Sequence, residues 1–215
     1  MAFVVKNVRT RIQTALSSAI TITGISKASE AVITATNTLS AGDWVVIRGV
    51  TGMTEINERV VRVKTPTGSN FVAEELDSTG FTTYVSGGSA YEVTTFATLD
   101  NITSLNFSDN PAAKQDITAI SDTSIKETNG LKGAPTGSFG INADPLGAGV
   151  VALRAASKSA DPTRVILFDF LDEGFTLYCN AEVSGGSGLN ANVGAVATGQ
   201  VELTLKHIQE YIATL

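Results

Sequence analysis

The feature that most constrains the fold of this chain is a regular alternation of apolar and polar residues in three segments. In the last of them, Val201, Leu203 and Leu205 alternate with Glu202 and Thr204. Successive side chains of a β-strand point to opposite faces of its sheet. The alternation therefore predicts strands with one face on a core and the other in contact with water. The three segments are residues 136–142, 175–183 and 200–208.

A fourth apolar segment, RVILFDFL, lies in a strand predicted over residues 163–171. Because it is apolar on both faces, we expect a strand that is covered on both sides. The sequence does not indicate what covers its second face. The turn-forming residues Asp172, Glu173 and Gly174 follow, so this strand and residues 175–183 are predicted to form a long hairpin.

One helix is predicted over about residues 145–157. Asp144 suits the N-cap of this helix, and Pro145 suits its first position. Apolar residues at helical spacing form one stripe, which would pack against the sheet. This stripe comprises Leu146, Val150 and Leu153.

The order of these segments predicts two structural units. Residues 20–91 contain short strands separated by turn residues, which is typical of a small all-β barrel or sandwich. Residues 1–19 are too few to bury a core and would join residues 92–215. The fold class is therefore mainly β, a β-sandwich or barrel with one packed α-helix and an inserted small all-β domain.

A polar stretch of fifteen residues, 121–135, lies between a strand predicted near 114–121 and the strand 136–142. We expect it to be a loop. A loop of this length inside a compact domain is usually functional or mobile.

Composition excludes several functional classes. The net charge is −6 and 17% of the residues are charged, whereas nucleic-acid-binding modules carry a basic surface. An acidic surface would instead let a nucleic acid pass without strong binding. No apolar run approaches the length of a membrane span or a signal peptide. We therefore expect synthesis in the cytoplasm, without general secretory export and without a membrane partner.

Residues able to carry out catalysis are few. The chain has one cysteine, Cys179, and one histidine, His207. Cys179 belongs to an apolar alternation, which indicates a core residue, and His207 lies at a predicted strand end. No spacing of His, Cys or acidic residues fits a metal site. We expect no enzymatic activity and no cofactor.

The order of predicted elements resembles that of a known family. Strand, long polar loop, strand, helix, long hairpin, Gly-rich loop and final strand follow one another over roughly residues 94–210. In this order and sidedness the chain resembles the major tail tube proteins of long-tailed, lambda-like (siphovirus-type) bacteriophages. Separately, the stretch AVITATNTLSAGDWVVIRGVTGMTEINERVVRV is similar to small β-modules of phage virion proteins.

This resemblance implies a structural protein of the virion tail. Six copies would form a ring, and stacked rings would enclose a channel for DNA passing from the capsid to the host. The implied partners are further copies of the chain and the tape-measure, terminator and baseplate proteins; DNA would pass without specific binding.

On this hypothesis two sets of residues have roles. The polar faces of the alternating strands would line the channel: Thr136, Ser138, Asn142, Thr176, Asn180, Glu182, Gln200, Glu202 and Thr204. Part of the polar stretch would contact the adjacent ring: Ile125, Lys126, Glu127, Asn129, Gly130 and Leu131. The hairpin tip around Asp172 would also reach neighbours.

Other interpretations stay open at this point. A tail terminator, a neck protein or an outer decoration protein would have related β architecture. Residues 20–91 would alternatively be a carbohydrate-binding module for host recognition. That module would need an aromatic platform, but the single tryptophan, Trp44, adjoins the apolar run VVI, which favours a core position.

Overall fold

The computed structural model describes residues 6–99, 101–142, 144–185 and 188–213. These residues form sixteen strands, one α-helix and one short 3-10 turn, so the predicted mainly β class is confirmed. The strands are β1 (Val8–Leu16), β2 (Ile20–Thr21), β3 (Gly24–Ile25), β4 (Val32–Thr34), β5 (Trp44–Thr51), β6 (Val60–Lys64), β7 (Asn70–Ala73), β8 (Ser86–Leu99), β9 (Ile102–Ser108), β10 (Ala112–Asp116), β11 (Glu127–Lys132), β12 (Thr136–Asn142), β13 (Thr163–Phe170), β14 (Phe175–Val183), β15 (Thr198–Leu205) and β16 (Glu210–Ala213). The 3-10 turn spans Thr54–Ile56, and the helix α1 spans Ala148–Ser157.

All strands except β10 and β11 belong to one curled antiparallel sheet. Its order is β3-β4-β7-β6-β5-β8-β1-β13-β14-β15-β12-β9, with β16 also paired to β14 and β2 to β8. Strands β15 and β16 lie along the same edge of β14, β15 opposite its last residues and β16 opposite its first. The sheet curls in both halves: the strands β15, β12 and β9 fold over β1, β13 and β14 around one core, and the strands of residues 20–91 enclose another.

Strand β13 lies at the centre of this arrangement and is buried on both faces. Ile166 and Phe168 point into one core, beneath α1 and the strands β9, β12 and β15. Val165 and Leu167 point into another, where they meet Trp44. The predicted double burial is confirmed, and the second cover comes from β5 and β6, which lie within residues 20–91.

The three alternating segments share one core, as their pattern predicts. Their apolar side chains pack together with α1 and β13. Two of the segments have the predicted bounds, 136–142 and 175–183. The third ends at Leu205, because the chain then turns toward β16 and the His207 Nε2 donates to the carbonyl of Asn57 at 2.6 Å. The apolar side chains concerned are Phe139, Ile141, Leu177, Cys179, Ala181, Val183, Val201, Leu203 and Leu205.

The helix begins three residues later than predicted. Asp144 does not cap it: its Oδ1 accepts from the amide of Leu146 and its carbonyl from the amide of Gly147, which closes a separate turn. Leu146 is consequently 89% exposed, so its predicted place in the buried stripe is wrong, whereas Val150 is buried as predicted. Leu153 is likewise buried, and Ala156 completes the stripe.

Helix α1 also depends on one close approach. A Cβ on Gly149 would lie 2.6 Å from the carbonyl oxygen of Thr98, closer than real Cβ contacts allow. Glycine is therefore required for the helix to sit directly on the end of β8.

The predicted polar loop is a hairpin in the structure. Strands β10 and β11 pair with each other in a separate two-stranded sheet, and the amide of Ile117 extends the pairing to the carbonyl of Lys126. The prediction of a loop over 121–135 is wrong for Glu127–Lys132, which form β11, whereas 121–126 and 133–135 lie outside the strands. The strand was missed because its mostly polar side chains are exposed on both faces and leave no alternation. Neither strand packs extensively on the rest of the described chain.

Residues 20–91 enclose a core of their own. Ile33, Ile47 and Phe71 are fully buried there. Trp44 lies instead on the outer side of this unit, at a ring-centroid distance of 4.9 Å from Tyr178. The burial of Trp44 agrees with its predicted core position and leaves no tryptophan platform for a carbohydrate.

We propose that residues 20–91 are an independent folding unit that also covers one face of β13. Expressed alone, this fragment should unfold cooperatively, because its core is closed within it. Its single tryptophan should fluoresce at a longer wavelength than in the whole chain, since Trp44 loses its cover from Tyr178. A fragment with a random-coil circular dichroism spectrum would contradict these boundaries.

An ion cluster around the buried Asp169 joins β1, β13 and β14. The side chain of Asp169 is 1% exposed; it accepts from Arg11 at 2.8 and 2.9 Å, from Arg9 Nε at 3.0 Å and from the Thr176 hydroxyl at 2.9 Å. Burial by itself raises the pKa of Asp169, but the bonds and charge of Arg11, with Thr176 and Arg9, lower it below the ordinary value. The carboxylate therefore stays charged inside the fold.

Replacing Asp169 by Asn should lower the free energy of unfolding by about 1–3 kcal/mol at pH 7, because it removes the charge that two arginines surround. The folded pKa lies below the unfolded value of about 3.9, so this contribution is present above that value and is lost as the pH falls through the folded pKa. Urea titrations should show the gap between wild type and D169N narrowing below about pH 4. The exposed change E173Q is the control, and a gap that stays constant with pH would contradict the assignment.

A polar sheet face as the candidate functional site

One face of the three-stranded sheet β9-β12-β15 is polar from end to end. Side chains directly opposite each other on antiparallel strands point to the same face, so the register defines its rows. The rows are Ser108, Thr136 and Thr204; Asn106, Ser138 and Glu202; Ser104, Gly140 and Gln200; and Asn142 with Thr198. The reverse face carries apolar residues of the core, among them Leu105, Phe139 and Val201.

The face has little charge, and none of these rows contains a lysine or arginine. Glu202 accepts from the Gln200 amide at 2.6 Å, and among the described residues it has no ion pair. Glu182 lies opposite Thr204 on the next strand and forms an ion pair with Lys206. The surface thus offers hydroxyl and amide groups and one unpaired carboxylate.

Six of the nine predicted channel residues share this face: Thr136, Ser138, Asn142, Gln200, Glu202 and Thr204. Glu182 lies at its margin. Thr176 and Asn180 do not belong to it, because they are 3% and 4% exposed. The Thr176 hydroxyl donates to Asp169 at 2.9 Å and the Asn180 amide to the carbonyl of Glu58 at 2.9 Å.

We therefore remove Thr176 and Asn180 from the predicted lining. The physical reason is that β5, β6 and the residues between them cover the polar side of β14 near Tyr178 and Asn180, while Thr176 is bonded to the buried Asp169. Alternation in a sequence distinguishes two faces of a strand but does not show whether a neighbouring unit covers the polar one.

Sequence reasoning missed the contribution of β9. Its residues Ser104, Asn106 and Ser108 extend the polar face. The signal was present, since Leu105 and Phe107 alternate with them in ITSLNFS.

Strand β9 also leaves an open sheet edge. Within the described residues it pairs with β12 alone, so the backbone groups of its other edge have no strand partner. A groove of about 170 Å³ lies between residues 6–8 and β9 and is lined by Val8, Ile102 and Leu105, among others. Edges of this kind are sites where another chain adds a strand.

The second predicted set lies on the β10–β11 hairpin. Ile125 and Leu131 are 78% and 91% exposed. Lys126 forms an ion pair with Asp122, and Asn129 accepts from Lys114 at 2.9 Å. Glu127 and Gly130 belong to β11 itself, opposite β10. The set therefore comprises β11 and the two residues before it, on a projecting hairpin.

The residues considered for catalysis do not form a site. Cys179 lies in the core, and burial raises the pKa of its thiol to about 12. The His207 Nε2 donates to the carbonyl of Asn57, as described above. In the described part of the chain, no group of His, Cys and acidic residues is placed to hold a metal ion.

Fold and site together define a mainly β protein with a polar sheet face, an open strand edge and a projecting hairpin. Comparison with protein families agrees with this class. The profile of the phage tail tube protein (TTP) family matches residues 51–210 of the 215. The chain belongs to this family, and it is a structural component of the phage tail. No curated protein matches the chain.

The family assignment also bears on the expected structural role. It identifies a protein that assembles with other tail components into a tube, in agreement with the expected structural role. Among the described residues there is no helix with the length and apolarity that a bilayer span requires.

Proposed function

We propose that the protein is the major tail tube subunit, and that it forms stacked rings of six copies around a channel for DNA. The observation that supports this proposal is the polar face of β9-β12-β15 beside the open edge of β9. The number six comes from the resemblance to lambda-like tube proteins. The subunit would be made in the host cytoplasm and reside in the virion tail.

The open edge favours closure between subunits. If the edge of β9 pairs with a strand of the adjacent copy, the short sheets join into one barrel around the ring and no free edge is left. Barrels with many strands enclose water-filled channels. A ring contact of this type is heterologous and closes by rotation.

The polar rows suit the inside of such a barrel. Affinity for DNA depends strongly on cations that neutralise phosphates, and these rows supply none. Hydroxyl and amide groups would keep the channel wall hydrated, and the Glu202 carboxylate would repel the phosphates of the DNA. The proposed lining is Thr136, Ser138, Asn142, Gln200, Glu202 and Thr204, with Glu182 at the margin and Ser104, Asn106 and Ser108 added from β9.

The same proposal gives partners for the ends and interior of the tube. Each ring would contact further copies above and below, and the hairpin residues Ile125–Leu131 would take part in that contact. Terminator and baseplate proteins would meet the end rings, and a tape-measure protein would occupy the channel before DNA does.

Negative-stain electron microscopy of the concentrated protein tests the assembly. We expect end-on views of hollow rings and side views of uniform tubes, either unaided or after a tail-assembly template is added. Single rings that never stack would favour a terminator and contradict the tube.

Changing Glu202 to Lys tests the lining. The variant should fold and assemble normally, because Glu202 is exposed, but DNA ejection from virions with E202K subunits should slow by about tenfold or more as each ring gains cations facing the phosphates. E202Q is the matched control, since it removes the charge without reversing it. Normal ejection by E202K through tubes of normal length would show that this face is not the channel wall.

A further inference from the structure

Exposed apolar side chains gather at both ends of the polar sheet. At the end marked by Ser108 and Thr136, β9 and β12 continue into the β10–β11 hairpin. That hairpin carries what we call the hairpin patch. It consists of Ile117, Ile120 and Ile125 in the distal part of the hairpin, all exposed. Leu131 is exposed as well but lies toward the base, next to the pair Lys132–Ala112.

The opposite end of the same sheet carries a second group. There Asn142 pairs with Thr198, and the segment 188–197 leads into β15. Its apolar residues, Leu189, Val193 and Val196, form what we call the loop patch, and all are exposed. The exposed Leu146 follows β12 at this end as well.

Hydrogen bonds hold both patches in defined shapes. In the hairpin, the Ala119 amide donates to Asp122 Oδ2 at 2.8 Å and the Asp122 amide to the Ala119 carbonyl at 2.9 Å, which presents Ile120 at the tip. In the loop, Asn190 and Thr198 exchange two backbone bonds at 2.8 and 2.9 Å. Gly194 then adopts a φ of +83° within the turn that presents Val193.

Neither patch is covered by its own subunit. An isolated two-stranded hairpin is marginally stable in water, and exposed apolar clusters mark contact surfaces. The two patches lie at opposite ends of one sheet and therefore cannot meet within one subunit. A head-to-tail stack of copies would bring one end of the sheet against the other end of the next copy, and so one patch against the other.

The chemistry of the two patches also matches. Segment 188–197 contains no charged residue, so covering it buries no unpaired charge. On the hairpin, Lys126 and Asp122 neutralise each other in an ion pair. Apolar anchors surrounded by satisfied polar groups are typical of the centre of a protein interface.

We propose that the hairpin patch of one copy docks on the loop patch of a copy in the next ring. This proposal rests on the proposed function, since it needs rings that stack in one direction. The strands of a barrel run at about 35–45° to its axis, so the two ends of β9, β12 and β15 face the rings above and below. Every contact would then pair Ile120 of one copy with the neighbourhood of Val193 in another.

Disulfide cross-linking between two different variants tests this pairing. We expect I120C and V193C, mixed and assembled together, to give dimers on non-reducing gels after mild oxidation. Each variant alone should give none, because hairpin meets loop and not a second hairpin. The native Cys179 is buried, so it adds no background. V85C, at an exposed site on the 20–91 unit, is the control partner for I120C.

A charge pair gives a second readout that does not need a disulfide. The single variants I120K and V193D should each reduce stacking by about tenfold or more, because a charge enters an apolar contact. A chain with both changes should recover part of the tube length, since each contact then unites one lysine with one aspartate.

The outcomes separate this inference from the function on which it rests. Tubes in which I120C cross-links to V85C or to itself, and not to V193C, would overturn the docking and leave the tube subunit standing. A wild-type chain that forms neither rings nor tubes with a template would overturn both.

Discussion

The structure depends on the burial of β13 between two cores. Ile166 and Phe168 occupy one core, and Val165 and Leu167 the other. Backbone pairing with β1 runs to Ile12, and beyond it the amide of Val165 donates to the Gln13 side-chain Oε1 at 3.0 Å. Because Val165 and Leu167 share a core with Trp44, Val46 and Val60, β13 ties residues 20–91 to the rest of the fold.

This burial also decides which sheet faces remain available for function. Strands β5 and β6 cover the polar side of β14, and Asn180 donates there to the carbonyl of Glu58. Tyr178 donates to Glu210 of β16 at 2.9 Å. Strands β15, β12 and β9 continue beyond that cover, so their polar sides stay open to solvent. An exposed polar sheet of three strands is thus a consequence of where the second core ends. The family match covers residues 51–210 and therefore includes only part of residues 20–91.

Sequence periodicity predicted what depends on one strand at a time. It placed Phe139, Leu177 and Leu203 on core faces, because alternation reports directly on the two sides of a strand. It failed at Thr176, where another part of the fold decides whether a side chain is exposed. It also failed in β11, because a hairpin without a buried face has no alternation of apolar and polar residues. The start of α1 was also missed. An aspartate accepts bonds from nearby backbone amides in a separate turn as readily as at the N-cap of a helix, and Asp144 does the former.

The hairpin and the sandwich derive their stability from different sources. The sandwich buries its apolar residues within one chain, so its folding does not require a neighbour. The hairpin leaves Ile120 and Leu131 in water, and it gains burial only when another copy covers it. Segments of low intrinsic stability are those that proteins use for contacts formed late. On the proposed stacking, the chain would therefore fold first as a soluble subunit, and its hairpin would become stable as the next ring is added. Subunits would then add to a completed ring more readily than they associate with one another in solution. Only a ring offers a loop patch to the hairpin of each incoming subunit.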